Sequence, residues 1–480
     1  MNIVMFSITP LFPHHDMGGA QKHLRAIALY LAELGHEITI LCTRREDTPQ
    51  PFHWHERIVV KPILRFKQPF PGPYDTGAVN LASVIQEVGE HLQNADRFYM
   101  HDGEFLFPQV YRHVPTVVSL RDNVYPETIQ GGFQFQAHTL VLISEFSRQF
   151  YLHTAGRFLP DLPSRMKVIH NGIQWERFKQ TPPSERLLQH IGGDPRPHKI
   201  ILHPHRPEEN KGMWQTIEVV DLLVNHHHIT DIRVLVPRWL GLQFDEGVSR
   251  FYQRVDAELA KRGLTPYFVF HEWVPVDLLP EYYSLGDVMF SLGSFVESFG
   301  NAVYEALGCG TRVVTARIST HRELLPPEMI DGVDFNDHAE ASRKTAHILQ
   351  SGLRTDPAVI AYLQAHYGVQ RQWSAYAETI LGASLVEPLR YQLEPIHAET
   401  QFQLAPWCYR TENGAIYHDF RADYAHSETL ERLLSQYAGI FSLTQARADG
   451  VASAQVQDWL REGYIVPITQ AVRSAFTQGG

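Results

Sequence analysis

Apolar residues recur along this chain in two alternating patterns. NIVMFSI (2–8) is a continuous apolar run and predicts a strand covered on both faces. PLFPHHDMGG then breaks the pattern with Pro and Gly. In the next stretch Leu24, Ile27, Ala28, Leu31 and Leu34 fall at helical spacing and end at Gly35. HEITILCT resumes the strand pattern. The unit is βαβ, which builds parallel sheets with right-handed crossovers. FYMH (98–101), TVVSL (116–120) and TLVLIS (139–144) continue the series.

The pattern restarts at KIILHPH (199–205), followed by IRVLVP (232–237), YFVFHEW (267–273), VMFSLG (288–293) and RVVTA (312–316). VIHNGIQWERF (168–178) and the polar QTPPSER lie between the halves and predict a hinge. The expected fold is α/β, with two doubly wound parallel-sheet domains facing a cleft. Residues 1–180 form the first domain and 181–384 the second, closed by a helix over 369–383. Ligands of such sheets bind beyond the carboxyl ends of the strands, so the cleft is the expected site. Residues 385–480 form an accessory module. It has a hairpin around Asn413-Gly414, then three helices and a final strand in a winged-helix-like order.

Composition narrows the function. The formal net charge of −11, and six Arg against eight acidic residues in 401–480, argue against nucleic-acid binding. Cys42, Cys309 and Cys408 are scattered with no CxxC, so neither a disulfide framework nor a structural zinc site is expected, and a reducing cytoplasm fits. The histidine run 226–228 reads as a solvated loop after a helix. No run of 18 apolar residues occurs, and the start has no positively charged signal-peptide region. The expected location is cytoplasmic, with peripheral membrane attachment left open.

Three stretches carry candidate chemistry. Gly18 and Gly19 precede a helix, where bare backbone and orphan N–H groups suit an anion; an ordinary strand–helix turn would look the same. Arg206 and Lys211 follow a strand and precede a helix, where two cations can neutralise a diphosphate; a solvated turn is the plainer alternative. ESFGNAVYEALGCG (297–310) places Glu297 at a helix start and Glu305 about one turn in, on the face of Asn301 and Gly308. The N–H groups of Phe299, Gly300 and Asn301 are orphan donors there. Spacing alone allows surface charge. The small, apolar neighbours of Glu305 argue for a buried carboxylate with partners.

Together these stretches resemble the retaining glycosyltransferases of the GT-B fold, family 4. Glu297-x7-Glu305, the Arg206/Lys211-Gly212 pair, Gly18-Gly19-Ala20, LISEFSR (142–148) and VIHNGI (168–173) match in order across about residues 1–384. The resemblance implies a nucleotide diphosphate sugar (UDP- or GDP-linked) as co-substrate, with no further cofactor. Glu305 would hold the ribose and Glu297 the sugar. Phe299, Gly300 and Asn301 would line the sugar and phosphate subsite. Arg206 and Lys211 would stabilise the departing diphosphate in place of a metal, with Gly18 and Gly19 approaching it from the first domain. Glu272 and Trp273 would receive the base. The acceptor would be a hydroxyl on a glycan, small molecule, lipid-linked sugar or peptide.

The chain departs from the family at one place. Where the family commonly has histidine, after VVSL, it carries Arg121-Asp122. Arg121 either contacts sugar or acceptor or forms a structural ion pair with Asp122. His101, ending the preceding strand, is either a catalytic histidine or a packed one. Two other functions fit the same residues: a nucleotide-sugar epimerase or hydrolase of this fold, and a donor-binding pseudoenzyme. The C-terminal module packs on the other domains, binds the acceptor or makes a homo-oligomer.

Overall fold

The computed structural model describes residues 1–14, 18–48, 50–66, 75–103, 107–238 and 246–478. The chain divides into two units. One is Met1–Asn171 together with Gln370–Gly480, and the other is Gly172–Val369.

The first unit is built on an eight-stranded sheet. Its strands are β1 (Asn2–Ser7), β2 (Glu37–Thr43), β3 (Phe52–His55), β4 (Ile58–Leu64), β5 (Arg97–His101), β6 (Thr116–Leu120), β7 (Thr139–Leu142) and β8 (Met166–Val168), in the order β3-β4-β2-β1-β5-β6-β7-β8. All neighbours run parallel except the edge pair β3–β4. Every residue of β6 and β7 is buried, as a sheet covered on both faces requires. The helix Gly19–Glu33 inserts Leu24, Ile27, Ala28 and Leu31 into that core. Burial of the two leucines and the isoleucine contributes about 1.5–3 kcal/mol each, and the Ala28 methyl less.

Two features differ from the sequence expectation. The helix Val369–Leu381 was expected to close the second domain. Instead Tyr376 and Ile380 pack in the core of the first unit, beside Ile3, Ile38 and Leu31. The 385–480 module also belongs to this unit. It forms two small antiparallel sheets, from β15 (Gln401–Leu404), β16 (Cys408–Arg410), β17 (Ile416–His418), β18 (Asp423–Ala425), β19 (Ile440–Ser442) and β20 (Ile465–Pro467), in the orders β19-β15-β20 and β16-β17-β18. The β16–β17 hairpin turns at Gly414 (φ +82°), as Asn413-Gly414 predicts. The three helices are Glu428–Gln436, Leu443–Ala448 and Ser453–Arg461, and a fourth, Gln470–Gln478, follows β20. Ile468, Ala471 and Val472 pack on Leu152. Trp407 and Phe420 meet Phe150 at 5.7 and 5.2 Å. The module is thus fastened to the helix Glu145–His153.

The second unit has a six-stranded, all-parallel sheet. Its strands are β9 (Lys199–Leu202), β10 (Ile232–Arg238), β11 (Phe268–Glu272), β12 (Val288–Ser291), β13 (Arg312–Ala316) and β14 (Asp331–Val333), in the order β11-β10-β9-β12-β13-β14. Strand order reverses between β9 and β12, so a ligand crevice is expected beyond their carboxyl ends.

Candidate functional site

The β9 and β12 exit loops cross at close range. The Phe295 N–H donates to the Asn210 carbonyl at 3.0 Å. Gly212 sits at φ +89°, and a Cβ on it would lie 2.5 Å from the Gly293 nitrogen; one on Gly293 would lie 2.2 Å from the Asn210 carbonyl oxygen. Neither position admits a side chain, so the glycines hold the two loops together.

That crossing brings Lys211 to Glu297, 86 residues away in sequence. Lys211 Nζ donates to Glu297 Oε1 at 2.8 Å and lies 3.4 Å from the Phe295 ring centroid. The lysine side chain is 11 % exposed and the glutamate 27 %, so the pair is largely desolvated but open on the Glu297 side. Burial pushes the Glu297 carboxyl up. The Lys211 charge and hydrogen bond oppose it and prevail, leaving a net shift below the ordinary carboxylate value. Arg206 is exposed and pairs with Glu208 at 3.1 Å.

After Glu297 the chain turns into the helix Asn301–Gly308 through Gly300, whose φ is +79°. Phe299 is buried against Tyr304 and Tyr367, with ring centroids at 5.3 and 5.6 Å. Glu305 is buried in this helix, as its small, apolar neighbours suggested. Gly308 is required by packing, since a Cβ there would lie 2.6 Å from the Trp175 ring.

Periodicity did not point to the layer beneath this turn. His321, in the loop after β13, lies under Gly300, where a Cβ would come within 2.5 Å of its ring. Its Nδ1 meets the Tyr304 hydroxyl at 3.1 Å, while its Nε2 is buried without a hydrogen-bond partner. Ser298 Oγ and Thr320 Oγ1 are likewise buried and unpartnered. His205 Nε2 meets the Phe290 carbonyl at 2.7 Å. Burial lowers the His205 and His321 pKa values to about 4, so both rings are neutral at pH 7. RISTHREL lies just past a predicted strand, at a carboxyl end. That position was the available signal for His321. Glu272 ends β11, two strands from β9, and Trp273 follows it; both are exposed, and the Trp273 carbonyl meets His190 Nε2 at 3.1 Å.

In the first unit the switch point lies between β1 and β5. Gly18 is exposed and extended, and a Cβ on it would meet nothing within 4 Å. The fold itself does not demand a glycine at 18. Gly19 opens the helix. His101 is fully enclosed, with Nδ1 on the Tyr99 hydroxyl at 2.6 Å and Nε2 on the Ala20 carbonyl at 2.8 Å. Burial and the Arg121 charge hold it neutral.

Arg121 is buried. Its guanidinium donates to the Tyr376 hydroxyl at 3.2 Å and to Asn171 Oδ1. Among the described residues it makes no ion pair with Asp122. That carboxylate caps its own turn, accepting from the Val124 and Tyr125 N–H groups and the Thr128 hydroxyl. Asp102, at left-handed φ (+56°), directly follows β5, and burial pushes its carboxyl up to about 7; Asp122 and Glu127 add to the rise and Arg121 opposes it.

Two Rossmann-like sheets, each with functional candidates at its switch point, define the GT-B class of fold. Solved GT-B structures match it closely. Sucrose-phosphate synthase from Thermosynechococcus elongatus aligns with TM-score 0.64 at 14 % identity, covering 78 % of this chain and 97 % of that one. Anabaena HepE, solved in complex with UDP-glucose, aligns with TM-score 0.58 at 18 % identity, covering 80 % of this chain and 100 % of that one.

The chain belongs to glycosyltransferase family 4: the Glycosyltransferase Family 4 model matches residues 17–177, and the Glycosyl transferases group 1 model matches 190–357. The D-inositol 3-phosphate glycosyltransferase of Mycolicibacterium smegmatis is 24 % identical over 258 residues, 52 % of each chain. The chain therefore spans about half the length of that curated relative. Among the described residues, no helix is long and apolar enough to cross a membrane.

Proposed function

We propose that the chain transfers a sugar from a nucleotide diphosphate sugar to a hydroxyl acceptor, with retention at the anomeric carbon. The observation that carries this reading is the β9–β12 crossing. There an ionised carboxylate (Glu297), a desolvated ammonium (Lys211) and a buried carboxylate (Glu305) share one switch point with three unpartnered polar atoms. Such a set suits a ligand bearing hydroxyls at one end and a diphosphate at the other. The complex of the related fold with UDP-glucose supports a nucleotide-sugar donor.

Lys211 keeps two of its three donors beyond the Glu297 bond, and Arg206 can leave its exposed partner at little cost. Both can then offset the charge of the departing diphosphate without a metal. The acceptor oxygen would bond to the anomeric carbon on the face that the phosphate oxygen leaves. Its proton would pass to that oxygen. Catalysis is then positioning and electrostatic stabilisation, with no protein nucleophile.

The test is nucleotide release from a panel of UDP- and GDP-sugars, with product anomers assigned by NMR. Removing both Arg206 and Lys211 should cost at least about 30-fold in rate, from roughly 2–4 kcal/mol for one charged contact. An unchanged rate in the double variant, or an inverted product, would refute the mechanism.

One observation favours a second reading, a donor-binding protein without turnover. Arg121 replaces the family's usual histidine and is locked by Asn171 and Tyr376. Donor binding with no transfer across a broad acceptor set would select it.

A further inference from the structure

At the end of the first unit's sheet remote from Arg121, the chain forms a pocket of about 380 Å³. Thr139 opens β7 and Met166 opens β8, so the pocket lies at the amino ends of those strands, while Arg121 follows the carboxyl end of β6. Its polar wall is cationic. Arg165 and Lys167 line it with His138, Arg97 lies close enough to lower the His138 pKa, and Val386 covers one side. None of these four cationic or titratable groups makes an ion pair with a carboxylate among the described residues. They are anchored instead by neutral oxygens. Arg165 donates to the carbonyls of Ala137 (3.1 Å) and Glu387 (2.5 Å), and Lys167 to the Thr379 hydroxyl at 2.9 Å. Arg97 donates to the Leu381 carbonyl at 2.8 Å, and His138 Nδ1 meets the Thr139 hydroxyl at 2.8 Å. The acid that acts on Arg165 is Asp161, from beyond ion-pair distance.

This arrangement is unusual for a chain of net charge −11. Positive groups gathered in a recess, in a protein with an excess of acids, would ordinarily recruit a carboxylate. Here the carbonyls and hydroxyls hold the side chains in place and leave donors unused. Lys167 keeps two N–H donors, Arg165 three and His138 its Nε2. The volume falls within the ~300–1,000 Å³ range of small-molecule sites and exceeds the needs of a bare ion.

We propose that this pocket is a second ligand site, for a soluble small molecule bearing a phosphate monoester, separate from the β9–β12 loops. Arg165 and Lys167 would take the phosphate, as a planar fork and a point charge. Val386 lines the recess as well, and a volume of about 380 Å³ holds a small ester whole, which favours a soluble ester over a lipid headgroup.

The test is equilibrium binding of glucose 6-phosphate to the full chain, with glucose as the uncharged control. One saturable site per chain is expected. Lys167→Gln and Arg165→Gln should each weaken it about 10-fold or more, the usual worth of one charge-assisted contact. The Arg206→Ala/Lys211→Ala variant should bind as the wild type does. Lys167 is exposed, so its variant keeps the test valid even if Arg165→Gln unseats the covering segment. Three results would overturn the proposal: no saturable binding, binding indifferent to Lys167→Gln, or binding lost with Arg206 and Lys211. Capture on phosphatidic-acid vesicles without binding of glucose 6-phosphate would overturn the soluble-ligand assignment.

Discussion

Glu297→Gln removes one charge from the pair that joins the β9 and β12 loops. Lys211 then stays desolvated, 11 % exposed and against the Phe295 ring, with no counter-charge. Breaking a buried pair by deleting one partner costs about 3–5 kcal/mol. Glu297 keeps 27 % exposure, so water can partly replace it, and the expected loss is about 2–3 kcal/mol. For a unit of this size that is roughly 4–12 °C in melting temperature.

The pH dependence has a definite sign. The folded carboxyl titrates below its unfolded value, so its stabilisation is present above the ordinary Glu range. It is lost as pH falls through the depressed folded value. Denaturant melts of wild type and variant should therefore differ at pH 7 and converge in acid. Lys211→Met/Glu297→Gln should be more stable than Glu297→Gln alone, because it removes the orphaned charge as well. A variant within 0.5 kcal/mol of wild type at pH 7 (about the limit for independent surface changes), or a gap that widens in acid, would refute the reasoning.

Glu305→Gln should weaken UDP and GDP donors of every sugar type by about 10- to 100-fold in titration calorimetry, the loss of one charge-assisted hydrogen-bond set. Glu297→Gln should instead change the ranking of sugars in the nucleotide-release assay. Gly300→Ala forces a left-handed alanine and a Cβ 2.5 Å from the His321 ring, so it should destabilise by about 2 kcal/mol or more; Gly300→Ala/His321→Ala should recover the steric part. Asp102 binds its proton more tightly folded than unfolded, so stability should fall as pH rises from about 4 to about 7. Asp102→Asn should flatten that slope in denaturant melts and stabilise at pH 7 by on the order of 1–2 kcal/mol.

The central strands were legible because NIVMFS, TVVSL, TLVL, KIIL and VMFS are each long enough and apolar enough to exclude a wet face. FHWH and IVVKPIL, which form β3 and β4, mix polar residues, and Pro62 interrupts β4, one strand in from the sheet edge, so neither repeat shows. The three residues of β8 are too few for any periodicity. In 369–381 the helical repeat reveals a buried face but not its partner; Tyr376 and Ile380 could equally have packed on the second sheet.

The placing of Glu305 on one face with Asn301 and Gly308 was readable, because the helix Asn301–Gly308 fixes it locally. The Lys211–Glu297 bond was not, since it depends on β9 and β12 being neighbours in the sheet. Arg121 shows the same limit: its partners Asn171 and Tyr376 lie 50 and 255 residues away.

The most direct test of the donor site is a crystal structure of the chain with a bound UDP- or GDP-sugar. The ribose should lie on Glu305, the diphosphate within hydrogen-bonding distance of Arg206 and Lys211, and the sugar against Glu297 and the Phe299–Asn301 backbone. A nucleotide bound elsewhere, with the Lys211–Glu297 loops unoccupied, would contradict it.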